Sequence, residues 1–308
     1  MIDKPLDVLS KYEIRKTKKQ KDAFIAAVTD YTKRAGYTVR VEKGSLGTRN
    51  VVMGDPEKAK YLVTAHYDTC AWMPVPNFIT PCNFLVYLLY QIALTLVIFG
   101  VAIGLGVAIG LLFGSPEVSG VASMVLLYGI FALLIAGPAN KHTANDNTSG
   151  VVTVLEIMAS MPENLKDRVA FVLFDLEEAG LVGSSSYRSK HKKQTQEQIV
   201  LNLDCVGDGD EILLFPTGKL KKNAAEMGKL QKLCGRMGPK GLQLKDKGFA
   251  FYPSDQASFP LGVGIAAFHK AKFLGYWLGR IHTSRDTKLD MTNVNILRAA
   301  IISLIGNT

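Results

Sequence analysis

The sequence predicts an α/β fold: a mixed, mostly parallel central sheet with helices on both faces, interrupted by a hydrophobic helical hairpin. Three observations carry that expectation. Short apolar runs of strand length alternate with longer helical segments, the pattern of a sheet covered by helices. The run Val169 to Phe174 ends in Asp175, Leu176, Glu177 and Glu178 before a Gly- and Ser-rich turn. That is how a buried strand delivers carboxylates to its C-terminal end, where open α/β sheets place their chemistry. Between Asn77 and Asn140, Glu117 is the only Asp, Glu, Lys or Arg, which makes this stretch unlike the rest of the chain.

Taken in order, residues 1–36 read as a charged lead-in and an amphipathic helix. Phe24, Ile25, Val28, Tyr31 and Thr32 recur at helical spacing before Gly36 stops it. Strands follow at Tyr37 to Val41, Asn50 to Met53 and Tyr61 to Ala65. The third runs on into His66, Tyr67 and Asp68. Side chains two apart on an extended segment share a side, so Asp68 can hold or polarise the His66 imidazole. By the same alternation Glu177 and Glu178 point to opposite sides and take different jobs, one on a metal and one facing a water. Asn145 to Gly150 lead into a helix over Val151 to Met161, with Asp146 at its start, where a plain N-cap is the alternative role. After Phe174 come a helix over about Gly180 to Lys193 and a strand Gln198 to Leu203 ending at Asp204. A strand Glu211 to Phe215, a helix Lys219 to Met237, a strand Val263 to Phe268 and a closing helix Asn293 to Ile305 complete the chain.

The oddity is the middle. Phe84 to Phe113 is an uncharged run, Gly114 to Gly120 reads as a loop carrying Glu117, and Val121 to Gly137 is a second uncharged run. At about 1.5 Å per residue the first is more than long enough to cross a hydrocarbon core of about 30 Å and the second is just at the lower limit of a spanning helix, so together they predict a transmembrane hairpin touching lipid over residues 84–137. A buried apolar hairpin in a soluble protein or dimer interface is the alternative. Gly100, Gly104, Gly106, Gly110 and Gly114 recur at intervals that allow close helix approach. Residues 77–140 are then an insert, and 1–76 with 141–308 form one domain. His66 and Asp146 can meet only if the chain between them crosses the bilayer an even number of times. The short hairpin loop lacks Lys and Arg while both flanks are basic, which places the domain on the cytoplasmic side of a two-pass integral membrane protein.

The net charge of the 308 residues is +9, with Lys/Arg clusters at 15–21, 188–193 and 219–222. Beside a membrane segment such clusters suit anionic headgroups or a solvated face, and no nucleic-acid-binding signature accompanies them. The cysteines, Cys70, Cys82, Cys205 and Cys234, fall in no paired motif, which fits a reducing compartment without a disulfide framework or structural zinc site. The N-terminal residues lack an apolar core of signal-peptide length, so nothing in them proposes export.

His66, Asp146, Glu177, Glu178, Asp204 and His282 are thus chemistry-bearing residues at strand ends and in loops. Two imidazoles and several carboxylates suit zinc with an open position for water, and a shared carboxylate would hold two ions about 3.5–4 Å apart. The ordered motifs resemble a known family. His66-x-Asp68, Asn145-Asp146-Asn147-x-Ser149-Gly150, Glu177-Glu178-x-Gly180-Leu181-x-Gly183-Ser184, Asn202-x-Asp204, Ser254-Asp255 and His282-Thr283-x-x-Asp286-Thr287 resemble the co-catalytic zinc exopeptidases, which include bacterial leucyl aminopeptidases, glutamate carboxypeptidase and glutaminyl cyclase.

The resemblance implies two zinc ions, with manganese or cobalt as other divalent fits. His66, Asp146 and Asp204 would hold one and Asp146, Glu178 and His282 the other, Asp146 bridging. Glu177 would be the general base, Asp68 would orient His66, and Tyr252, Ser254 and Asp255 lie on the substrate side. Peptide is the implied substrate and aminopeptidase the implied activity, with cyclase, carboxypeptidase or a non-catalytic membrane scaffold as alternatives. Gln256 stands where the family commonly has His after Ser-Asp, a departure that bears on specificity rather than metal binding.

Overall fold

The structure, a computed structural model, describes residues 1–307. Two N-terminal helices, α1 (Asp7–Lys11) and α2 (Lys18–Arg34), precede strands β1 (Val39–Lys43), β2 (Arg49–Met53) and β3 (Tyr61–His66). Thr17 and Gln20 close a reciprocal capping box at the start of α2, and Gly36, at φ +82°, ends it in a conformation that a β-carbon would strain. Then come α3 (Phe84–Phe113), α4 (Pro116–Ala136), α5 (Gly150–Ser160), β4 (Val169–Phe174), α6 (Val182–Lys190), β5 (Ile199–Leu203) and β6 (Glu211–Pro216). The chain closes with α7 (Gly218–Lys221), α8 (Ala224–Leu233), β7 (Gly235–Met237), β8 (Lys240–Leu244), β9 (Gly262–Ala271), β10 (Gly275–Trp277) and α9 (Met291–Gly306).

One sheet runs β1-β2-β4-β3-β5-β9-β6-β8-β7, with β10 paired to β9, and it draws strands from both sides of the hairpin. It is mixed as expected: β4, β3, β5 and β9 form a parallel centre, and antiparallel pairings dominate toward the edges. Every residue of β3, β4 and β5 is buried, as strands covered on both faces must be. Alternation sorts them. Val63, Phe171 and Leu201 face α2, α5 and α9 through Phe24, Leu155 and Val294, whereas Leu62, Val172 and Val200 face Tyr187 of α6 and Phe259. Truncating fully buried Phe171 to Ala would cost about 3–5 kcal/mol.

Three local expectations are corrected. The segment 219–237 is two short helices and a strand, because Asn223 leaves the helical path and its side chain caps the N-terminus of α8 by accepting the Glu226 N–H. The hairpin turn is only Gly114 and Ser115. Ser115 caps α4 and Pro116 occupies its first turn, so Glu117 belongs to the helix rather than to a seven-residue loop. The third concerns Glu177 and Glu178, described below.

The hairpin helices have 30 and 21 residues, about 45 and 32 Å at the usual rise. A β-carbon at Gly106 would lie 2.0 Å from Ser123 Oγ and one at Gly110 would lie 2.5 Å from Ser119 Cβ, so these two glycines let the helices touch. Gly100, Gly104 and Gly114 face open space and do not. Outward apolar side chains such as Leu111 and Leu112 are 78% and 84% exposed, part of an apolar surface that runs along both helices.

Candidate metal centre

The fold gathers its carboxylates and imidazoles at the C-terminal edge of the parallel strands. His66 is the last residue of β3, and Tyr67 extends the pairing by donating its N–H to the Phe174 carbonyl. Asp146 enters from the turn 144–149 ahead of α5, where the peptide to Asn147 is cis. Asp204 follows β5, and His282 comes from the loop between β10 and α9. Glu177 and Glu178 lie in the turn after β4, entered through Leu176 at φ +56°.

Asp146 is central. Its Oδ1 is 3.3 Å from His66 Nε2 and its Oδ2 is 3.2 Å from His282 Nε2. His66 Nε2 is also 3.6 Å from Asp204 Oδ1, and His282 Nε2 is 3.4 Å from Glu178 Oε2. An ion with tetrahedral nitrogen and oxygen ligands at about 2.0–2.2 Å keeps its donors about 3.3–3.6 Å apart, which matches three of the four pairs, with the 3.2 Å pair of His282 and Asp146 just inside it. The same residues fall into three overlapping ligand groups: His66 with Asp146 and Asp204, His66 with Glu177 and Glu178, and His282 with Asp146, Glu178 and Cys70. Asp204 Oδ1 is buried with no hydrogen-bond donor among the described residues. The donor set therefore fits a divalent cation such as zinc, with Asp146 common to two of the groups.

The supports explain why the glutamates depart from strand alternation. Asp68 accepts the backbone N–H of Glu177 at 3.0 Å and of Glu178 at 3.3 Å, curling the turn so that both carboxylates approach His66. Asp68 also stands 3.5 Å from His66 Nδ1, on the side the alternation predicts. Asp286 does for the Asp146 turn what Asp68 does for the glutamates, accepting N–H bonds from Asn145 and Asp146 at 2.8 and 3.0 Å. Asn145 Oδ1 in turn accepts from Gly207 and Asp208.

Charge is crowded here. Burial, then the carboxylates around it, pushes Glu177 well above its ordinary value, and Glu178 shifts the same way with Asp146 its leading charged neighbour. Burial and the Asp146 charge push Asp286 up to about 8. Burial also disfavours the Asp146 carboxylate, but His282 and His66 outweigh it and hold it low. A guanidinium underlies the cluster: fully buried Arg15 donates to the carbonyls of Tyr67 and Tyr12 and to Thr148 Oγ1. Burial lowers Arg15 to about 10, while Asp68, Glu13 and Asp146 favour its charge. Such a concentration of buried carboxylates is what a multivalent cation compensates.

A cavity of about 80 Å³ opens over the centre, lined by the six chemistry-bearing residues together with Tyr252, Cys205 and Ile281 among others. Tyr252 is on its wall and donates its hydroxyl to the Asp204 carbonyl. Ser254 and Asp255 are buried behind it: Ser254 Oγ accepts from Asn202, and burial raises Asp255 to about 7. Gln256 bridges Asn202 and the Tyr252 carbonyl, so it stiffens the wall from behind. An adjoining aromatic pocket of about 90 Å³ shares Asn77, Ile79 and Pro253 with this cavity and adds Tyr87 of α3 with Phe249 and Phe251.

Sequence reasoning gave no site role to Arg15, Cys70, Asn145 or Asp286. Arg15 sits in what reads as a solvated basic cluster, and its burial arises only from packing. Asn145 and Asp286 lie inside the quoted motifs, Asn145 next to Asp146 and Asp286 four residues after His282, and that nearness is the available signal.

The sequence profile of peptidase family M28 matches residues 128–304. His66 lies outside that match and is brought to the site by the sheet. None of the curated proteins compared matches the chain in sequence. Among solved structures, glutaminyl cyclase from Porphyromonas gingivalis aligns with TM-score 0.62 at 16% identity, over 99% of this chain and 97% of that one. A Zn-dependent exopeptidase from Parabacteroides distasonis gives 0.61 at 14%, over 99% and 98%. The aminopeptidase LapA of Legionella pneumophila gives 0.55 at 15%, over 98% of this chain and 68% of that one. At such identities the likeness is one of fold.

Proposed function

The chain belongs to peptidase family M28, and from that premise we propose that it is a two-zinc aminopeptidase, tethered to a membrane by an inserted hairpin over residues 77–140. The observation that carries the two-metal reading is Asp146, whose two oxygens stand 3.3 and 3.2 Å from different imidazoles. His66 and Asp204 would complete one half-site, Glu178 and His282 the other. Bound zinc would supply Lewis acidity and a water that ionises near neutral pH. The rest is done by this chain. Glu177, on the cavity wall and anchored through its N–H to Asp68, takes the proton of the attacking water and returns it to the leaving amine. Asp68 orients His66, and Tyr252 shapes the substrate side.

The adjoining pocket supports a preference for an apolar or aromatic side chain on the residue removed, since Phe249, Phe251, Ile79 and Tyr87 offer it no charge. Because Tyr87 belongs to α3, the hairpin would help to form the substrate site as well as anchor it. A cyclase needs no hydrolytic water, and retention of two half-sites favours hydrolysis over it.

The membrane reading rests on two apolar helices, 17% and 0% buried over their most hydropathic stretches. Residues 1–76 and 141–308 form the catalytic domain on the cytoplasmic side. A reporter placed at Gly114–Ser115 should be accessible from outside; a cytoplasmic signal there overturns the orientation. Metal analysis with aminoacyl anilides of graded side chains tests the activity: two zinc ions per chain and fastest release of apolar residues are the expected result, and a metal-free, inert protein contradicts it.

A further inference from the structure

We propose that Cys70 is a metal ligand: its thiolate supplies a fourth protein donor to the ion held by Asp146, Glu178 and His282. The inference rests on the metallopeptidase reading and adds a donor that this reading does not assign. Cys70 Sγ and one ligand atom from each of those three residues all lie within 4.8 Å of one another. A zinc–sulfur bond of about 2.3 Å beside nitrogen and oxygen bonds of about 2.1 Å sets the donors about 3.6 Å apart, so the group closes on an ion with inward shifts on the order of 1 Å.

Cys70 lies four residues past the end of β3, in the segment that also carries Asp68. Its backbone is pinned: the Cys70 carbonyl accepts the Asn140 N–H at 3.1 Å, Ala71 pairs with Ala139, and Thr69 Oγ1 accepts the Arg15 N–H at 2.8 Å. No part of Cys70 is exposed. The thiol is thus held beside the ligand group and away from solvent.

The consequence is chemical asymmetry. One half-site offers His66, Asp146 and Asp204, all nitrogen and oxygen; the other adds sulfur. On coordination the Cys70 S–H gives its proton to solvent and the thiolate binds. Sulfur favours zinc or cobalt over manganese or magnesium at the second position, while the first remains the less selective one. Cys205 is the rival thiol, since it is buried beside Asp204 and lines the cavity, but it joins an apolar cluster with Phe215, Tyr252 and Phe268 and no ligand group among the described residues.

The test uses the full-length protein loaded with zinc or cobalt. X-ray absorption at the zinc edge should show a sulfur shell at about 2.3 Å amounting to about one sulfur for two zinc ions. The cobalt form should show a near-ultraviolet thiolate charge-transfer band that C205S keeps and C70S loses while retaining cobalt. Two bound zinc ions with only nitrogen and oxygen neighbours overturn the Cys70 assignment and leave the peptidase reading standing. Absence of bound metal overturns both. The wild-type absorption measurement stands even where C70S fails to fold.

Discussion

Replacing Glu177 by Gln separates its chemistry from its charge. The side chain keeps its length and its anchor, since the Glu177 N–H bond to Asp68 is a backbone contact, so the metal half-sites survive. What is lost is a proton acceptor, and general bases contribute about 10²- to 10⁴-fold. The expected result is kcat on an aminoacyl anilide reduced by about 10²- to 10⁴-fold, with zinc content unchanged by metal analysis. The metal-free protein supplies a second readout of opposite sign. Burial raises Glu177 well above its ordinary 4.5, against the charge of His66 and with Glu178, Asp255 and Asp204 adding to the rise. Between 4.5 and that raised value the folded chain holds a proton that the unfolded chain has released, so this group makes stability fall as pH rises through the window. Glu177→Gln removes that contribution. The metal-free variant should match wild type near pH 4 and melt increasingly above it toward neutral pH. Activity within tenfold of wild type, loss of zinc, or a melting difference that shrinks as pH rises would each refute the reasoning.

Two further perturbations probe the supports. Asp68→Asn leaves one oxygen where two accepted the N–H groups of Glu177 and Glu178 and weakens the carboxylate behind His66, so zinc affinity by competition with a chelator should fall about 10- to 100-fold; unchanged affinity would remove Asp68 from the account. Lys21 and Asp175 form a buried ion pair in which Asp175 also accepts the Arg49 N–H, so Lys21→Met strands a buried charge and should cost about 3–5 kcal/mol in denaturant unfolding. A change below about 1 kcal/mol would show that water reaches that carboxylate.

The parts of this molecule legible in its sequence are those governed by local pattern. The strand Val169–Phe174 and the hairpin helix Phe84–Phe113 end at the residues where their composition changes. His66 and Asp68 fall on one side because β-strand periodicity puts them there. Where pattern yields to tertiary hydrogen bonding, the reading from sequence fails. Glu177 and Glu178 would alternate on a strand, but the two oxygens of Asp68, from a different strand end, fold them into a turn facing one centre. Asn223 breaks a segment of good helical composition because a side-chain cap competes with the helix. Arg15 is invisible as a buried residue because nothing local distinguishes it from its exposed neighbours Lys18 and Lys19. The candidate ligands stand out by residue type, whereas the groups that brace them, Asp286 and Asn145 above all, declare themselves only through distances.

The central claim is that Asp146 joins two metal ions into one hydrolytic centre. Anomalous diffraction at the zinc edge, from crystals grown with zinc, tests it most directly. The account predicts two peaks about 3.5–4 Å apart, one beside His66 and Asp204 and the other beside His282 and Glu178, each touching one oxygen of Asp146. A single peak, or two peaks that leave Asp146 bound to only one of them, would contradict it.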